Sequence, residues 1–88
     1  EIEDALYKHP DVVAVAVVAK EDTKWGETPC AFVELIKGSL ANEVDLKKHC
    51  KSLLAGFKVP RYFSFIELPK TSTGKIQKFK LREEAKLI

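Results

Sequence analysis

A chain of 88 residues has room for one core, since a domain of this size buries roughly 60% of its unfolded surface, and it cannot enclose a large substrate by itself. Its hydrophobic share of 45% excludes a disordered tail, and its charged share of 32% is somewhat above the usual quarter. The net charge of +2 hides a basic stretch from Lys58 to Lys80 in which Glu67 is the one acid, a pattern suited to anionic partners or to a solvated face.

Glu1 to His9 reads as a helix with Ile2, Ala5 and Leu6 on one stripe, ended before Pro10. It starts without a cap in front of it, which leads to the expectation that the chain is a piece of a longer one. Val12 to Ala19 is a nearly unbroken β-branched and alanine run, expected as a strand covered on both faces. Lys20 to Thr28 reads as a polar connection carrying Trp25 and Gly26. Pro29 to Ile36 is the second strand, with Ala31, Val33 and Leu35 on one face and Cys30, Phe32 and Ile36 largely on the other, turned by Lys37-Gly38-Ser39.

Glu43 to Leu54 places Leu46, Cys50, Leu53 and Leu54 at helical spacing behind a capping Asn42, with Gly56 expected as a left-handed residue at the C-terminal end. Arg61 to Glu67 is the third strand, rich in aromatics. Leu68 to Gly74 is a loop, and Gln77 to Leu87 a short charged helix in which Leu81 and Ala85 are i, i+4 neighbours. The order predicts an α+β fold, a small three-stranded sheet covered by helices, occupying residues 1–88 as one domain.

Chemistry is sparsely offered. Cys30 and Cys50 match no zinc or redox spacing and are expected as small apolar residues in a reducing compartment. His9 and His49 lack the acid or cysteine partners of a triad or metal site and are read as structural. Without a signal peptide or an apolar run near the roughly 20 residues of a transmembrane helix, a cytoplasmic location is the default.

Trp25, with Gly26 and Glu27, either tucks a ring against the sheet or lines a passage for a ligand. Gly56 to Arg61 sets the cations Lys58 and Arg61 around Pro60, a corner fit for a phosphate or a helix end decorated with favourable charge. In Pro69 to Lys75 a glycine precedes a lysine. Pro69 stands where a Walker A loop needs its first glycine, however, and Ile76 where it needs a hydroxyl. What remains is a Thr/Ser-rich turn projecting Lys75 from a glycine hinge toward a developing negative charge, or a solvated surface lysine.

At this point the sequence resembles a known family. PKTSTGKIQKFKLRE is similar to the final core motif of the AMP-dependent synthetase superfamily of acyl-CoA synthetases, peptide-synthetase adenylation domains and beetle luciferases. EIEDALYKHPDVVAVAVVA, DTKWGETPCAFVEL and LAGFKVPRYFSFIELPKT resemble earlier parts of the same C-terminal lid domain, so the similarity spans the whole chain.

The resemblance implies a lid that closes over a large N-terminal domain binding ATP, Mg2+ and a carboxylic acid. Lys75 would then neutralise the carboxylate and α-phosphate oxygens as acyl-AMP forms. It implies a second use of the domain, rotated so that Trp25, Gly26 and Glu27 meet pantetheine and Phe57, Lys58 and Arg61 lie near the nucleotide end of coenzyme A. WGETP followed by AGFKVPRYF suits the CoA-ligase branch. A lid serving a carrier protein or a luciferase-like second step is the alternative. The N-terminal domain and the hinge lie outside the chain, which is therefore expected to be inactive alone. A reading from another class is a small nucleic-acid-binding module using Arg61, Tyr62, Phe63 and the lysines of residues 70 to 80, with stacking aromatics on an open sheet face, which the acids of the first half and Glu83 and Glu84 disfavour.

Overall fold

Helix α1 (Ile2–Tyr7) ends one turn before Pro10, and the Val12 amide donates to the His9 carbonyl as the chain turns into the sheet. The computed structural model describes residues 1–24 and 26–88, with Phe57 described through its backbone alone. Strand β1 (Val12–Asp22) is built from the β-branched run, whose stiff side chains suit a pleated surface. Ala14, Ala16 and Val18 are buried on one face and Val15 on the other, so the expectation of a strand covered on both sides holds.

The expected polar connection is shorter than its composition predicts. β1 continues through Lys20, Glu21 and Asp22, and β2 (Gly26–Leu35) begins three residues before Pro29, pairing Lys20 with Thr28, Glu21 with Glu27 and Asp22 with Gly26. The reason is that pairing needs only backbone groups. Where the hairpin outruns the helices that cover it, Glu21, Gly26 and Glu27 are exposed and polarity costs nothing.

Helix α2 (Glu43–Leu53) starts with a reciprocal cap: Asn42 Oδ1 accepts from the Asp45 amide at 3.0 Å, and Asp45 Oδ2 accepts from the Asn42 amide at 3.2 Å. It stops when Leu54 becomes extended. Gly56 is not the left-handed residue expected there; it opens a 3-10 turn, Gly56–Lys58, because the chain must bend at once toward the sheet. α2 is the crossover that lets β3 (Tyr62–Phe65) run parallel to β2. β3 is shorter than the predicted Arg61 to Glu67, since the following residues leave the sheet for a loop that leads to α3 (Lys78–Ala85).

The strand order is β1-β2-β3, with β2 in the middle. One face packs Leu6 of α1 and Leu46 and Cys50 of α2 against Val15, Ala31 and Val33. The other packs Leu81 and Ala85 of α3, with Leu68, against Ala16, Val18 and Phe32. The α+β sheet covered by helices is thus the fold observed.

His49, read from the sequence as structural, sits half-buried at the α1–α2 seam. Its Nε2 is 2.6 Å from the Ala5 carbonyl, and its ring meets His9 edge-on at 5.3 Å. His9 Nδ1 in turn accepts from the Asp11 amide. Both cysteines are buried as free thiols, and burial pushes their pKa up, so both are inert packing groups.

Candidate functional site: two edges of one sheet

The loop bearing Lys75 is fastened to the far end of β2. Glu34 Oε1 accepts from the Leu68 amide at 3.0 Å and lies 3.5 Å from Lys70 Nζ. Lys70 then pairs with Ile76 in an antiparallel bridge. Inside that bridge the Thr71 amide donates to the Lys75 carbonyl at 2.8 Å, the Gly74 amide to the Thr71 carbonyl at 2.9 Å, and the Lys75 amide to Thr71 Oγ1 at 3.2 Å.

Gly74 supplies the positive φ of +88° that closes this turn. The hinge expected from the sequence is therefore a turn hydrogen-bonded on both sides of the glycine. Lys75 stands on it exposed, and among the described residues its ammonium makes no ion pair or side-chain hydrogen bond. A cation placed on a closed backbone with its charge unspent can meet an incoming anion without first giving up a partner.

Gly26 and Glu27 lie at the opposite end of β2. Glu34 stands eight residues along the strand from Gly26, about 26 Å at ~3.3 Å per residue. Gly26 has φ +77° and closes the β1–β2 turn, and Glu27 is exposed. Trp25 lies outside the described residues, as does the Phe57 side chain.

The same end receives the 3-10 turn and the start of β3. The Arg61 amide donates to the Pro29 carbonyl at 3.3 Å, and Lys58 Nζ is 2.8 Å from Glu1 Oε1. The Lys58 ammonium, first by hydrogen bonding and then by its charge, holds the Glu1 carboxyl below the usual range. The structure thus brings Gly26, Glu27, Lys58 and Arg61 to one end of the sheet and sets Lys75 at the other.

Sequence reasoning missed a cluster that ties this end together. Tyr62 Oη donates to Asp22 Oδ2 at 2.6 Å, and Asp22 Oδ1 accepts from the Lys24 amide at 2.8 Å. Lys20 Nζ lies 5.2 Å from the Tyr62 ring centroid and donates to the Ala85 carbonyl at 2.7 Å. The Asp22 bond, followed by desolvation, raises the Tyr62 phenol pKa. Alternation along β1 does put Lys20 and Asp22 on the face of Val18, but the strand order that brings Tyr62 to them is not written in the spacing.

A groove runs between this hairpin and the end of α3, lined by Lys20, Asp22, Glu27, Arg82 and Lys86. Its walls carry both signs of charge. Of the aromatics on β3, Tyr62 lies against Lys20, and Phe63 packs beside the α2 face of the core and stacks on the exposed Phe65.

The family model described as the AMP-binding enzyme C-terminal domain matches residues 1–75. The chain is 53% identical to a peroxisomal trans-cinnamate:CoA ligase from Petunia hybrida, covering 98% of this chain and 15% of the relative. It is 52% identical to a 2-methylpropanoate–CoA ligase from Humulus lupulus, over 98% of this chain and 16% of that protein. Among solved structures, ATP-bound MatB from Rhodopseudomonas palustris superposes with a TM-score of 0.90 at 34% identity, over 97% of this chain and 17% of that one. An anthranilate CoA ligase in complex with anthranoyl-AMP superposes with a TM-score of 0.86 at 41% identity, over 98% and 17%. The chain spans about one sixth of the length of these proteins.

Proposed function

The chain belongs to the AMP-binding enzyme C-terminal domain family, and from that premise we propose that it is the lid of an ATP-dependent acyl-CoA synthetase. The whole protein would join a carboxylic acid to ATP, releasing pyrophosphate and forming acyl-AMP. Coenzyme A would then displace AMP to give the thioester. The N-terminal domain that binds ATP and the acid is the lid's first partner in this reading.

The observation that carries it is the unpaired Lys75 ammonium on a closed, exposed turn, because acyl-AMP formation builds negative charge on carboxylate and phosphate oxygens at once. Lys75 would align and neutralise those oxygens; no proton needs to move to or from it. Gly26 and Glu27, with Trp25, would form the face presented to pantetheine, and Phe57, Lys58 and Arg61 the face toward the CoA nucleotide. Positive φ at Gly26 with no side chain supports the first role, since it allows backbone to approach a narrow ligand arm.

Mg2+ belongs to the ATP-binding domain in this proposal. Among the described residues no group of three or more His, Cys, Asp or Glu side chains could hold a metal ion. CoA as acceptor is supported by the names of the curated relatives, whereas an amide bond synthetase from Marinactinospora thermotolerans at 36% identity and a TM-score of 0.87 has the same lid fold. No described helix is long and apolar enough to cross a membrane. The cytoplasm is the proposed compartment, with the peroxisome named for two relatives as the place a tagged full-length protein would otherwise be found.

The test separates the half-reactions in the full-length protein. Lys75→Ala is expected to slow acyl-AMP formation about 10²- to 10³-fold while supplied acyl-AMP is still converted to acyl-CoA. Equal loss of both half-reactions would remove Lys75 from the assigned role.

A further inference from the structure

We propose that Tyr62 is a positioning residue for thioester formation: acting through Asp22, its hydroxyl fixes the β1–β2 turn relative to the Lys58–Arg61 segment. The inference rests on the functional reading above and adds a residue that the reading does not need. β1 and β3 flank β2 and share no backbone ladder, so the sheet sets their ends against each other only through β2. The Tyr62 side chain adds a direct tie, running across β2 from β3 to Asp22 on β1.

Asp22 is the last residue of β1 and pairs with Gly26 across the turn. Its two oxygens have different donors, Tyr62 Oη on one and the Lys24 amide on the other. The carboxylate therefore transmits the position of the β3 strand to the turn that carries Gly26. A charge-assisted bond of 2.6 Å is among the stronger neutral-to-charged contacts a side chain makes. Lys20 completes the strut by sitting near the ring while it donates to the end of α3. The Lys75 loop uses none of these contacts, because its anchors are Glu34, Leu68 and Ile76.

The experiment uses the full-length protein, measuring acyl-AMP formation and, separately, transfer of supplied acyl-AMP to CoA. Tyr62→Phe keeps the ring and is expected to raise KM for CoA about tenfold, the loss of one hydrogen bond to a charged group, with kcat of transfer within about twofold. Acyl-AMP formation is expected within about twofold of wild type, which also shows that the variant domain is folded. Asp22→Asn retains an acceptor oxygen and is expected to recover most of the CoA affinity. Asp22→Leu, which also removes the acceptor of the Lys24 amide, should raise KM at least as far as Tyr62→Phe, and the double variant Tyr62→Phe with Asp22→Leu should be no worse than Asp22→Leu alone. An unchanged KM for CoA, or equal decline of both half-reactions, overturns the positioning role. A wild-type protein that forms acyl-AMP but transfers nothing to CoA overturns the functional reading, and this inference with it.

Discussion

The two ends of β2 solve different problems with similar residues. At the Lys75 end, Glu34 anchors the loop through the Leu68 amide and Lys70, the turn itself is closed by backbone and hydroxyl groups, and among the described residues the Lys75 cation is left over. At the hairpin end the side chains already engage one another: Lys58 with Glu1, Tyr62 with Asp22, Lys20 with the Ala85 carbonyl. A lysine with an unspent charge is ready for a charge that develops during reaction. A lysine in an exposed ion pair can exchange its carboxylate at little cost, so in the proposed reading Lys58 would trade Glu1 for a ligand that arrives already charged. The contrast teaches that a basic residue's place in the motif says less about its task than the partners its neighbours supply.

The comparison breaks most severely if the shared core is removed. Leu81 is fully buried in α3, beneath both the strand that carries the hairpin and the loop that carries Lys75. Leu81→Ala is expected to destabilise the chain by about 2–5 kcal/mol, read as a lowered midpoint in urea at constant slope. Both half-reactions of the full-length protein should fall together. Loss of one alone would mean that the two edges do not stand on one core.

A smaller perturbation sharpens the contrast. Gly26 and Gly74 both have positive φ, and an added Cβ would meet no atom within 4 Å at either position. Alanine at each should therefore carry the same backbone cost of about 1 kcal/mol, with no steric difference to confuse the result. Gly74→Ala is expected to slow acyl-AMP formation and spare transfer to CoA. Gly26→Ala is expected to do the reverse. If the two variants share one kinetic profile, the edges are not functionally distinct.

What the sequence disclosed, and what it withheld, follows the same division. The β-branched run of Val12 to Ala19, the Asn42 cap and the Leu81–Ala85 pair are local signals, and each produced the element expected from it. The motif ending in Lys75 was legible because a turn, a glycine and a lysine are neighbours in the chain. The extension of β1 through Asp22 was not, because backbone pairing is blind to polarity where a hairpin leaves the core. Gly56 misled because a glycine after a helix also serves a tight 3-10 turn. The Tyr62–Asp22 bond joins residues 40 apart across a third strand, a contact created by strand order and invisible to any local pattern.

The smallest expected effect tests the tie that joins α1, β1 and α3. Glu3 Oε2 accepts from the Val17 amide on the outer edge of β1 and lies 2.8 Å from Lys78 Nζ at the start of α3. It also occupies a backbone donor that an edge strand would otherwise leave open. Burial pushes the Glu3 carboxyl pKa up. The Lys78 hydrogen bond, the Val17 amide and the Lys78 charge together outweigh that burial and hold it below the ordinary value. A carboxyl with a depressed folded pKa contributes stability that is present above its unfolded pKa of about 4.3 and is lost as pH falls through the folded value. Glu3→Gln keeps an acceptor but no charge, so at pH 7 it should be less stable by about 0.5–1 kcal/mol. Below about pH 4 the wild-type carboxyl begins to take up its proton, and the two urea midpoints should converge. The Glu1 carboxyl also titrates low, but it is present in both proteins and cancels in the difference. A gap that stays constant from pH 7 to pH 3 would mean that the Glu3 charge is not its source and leave the ion pair with Lys78 without a part in holding α3.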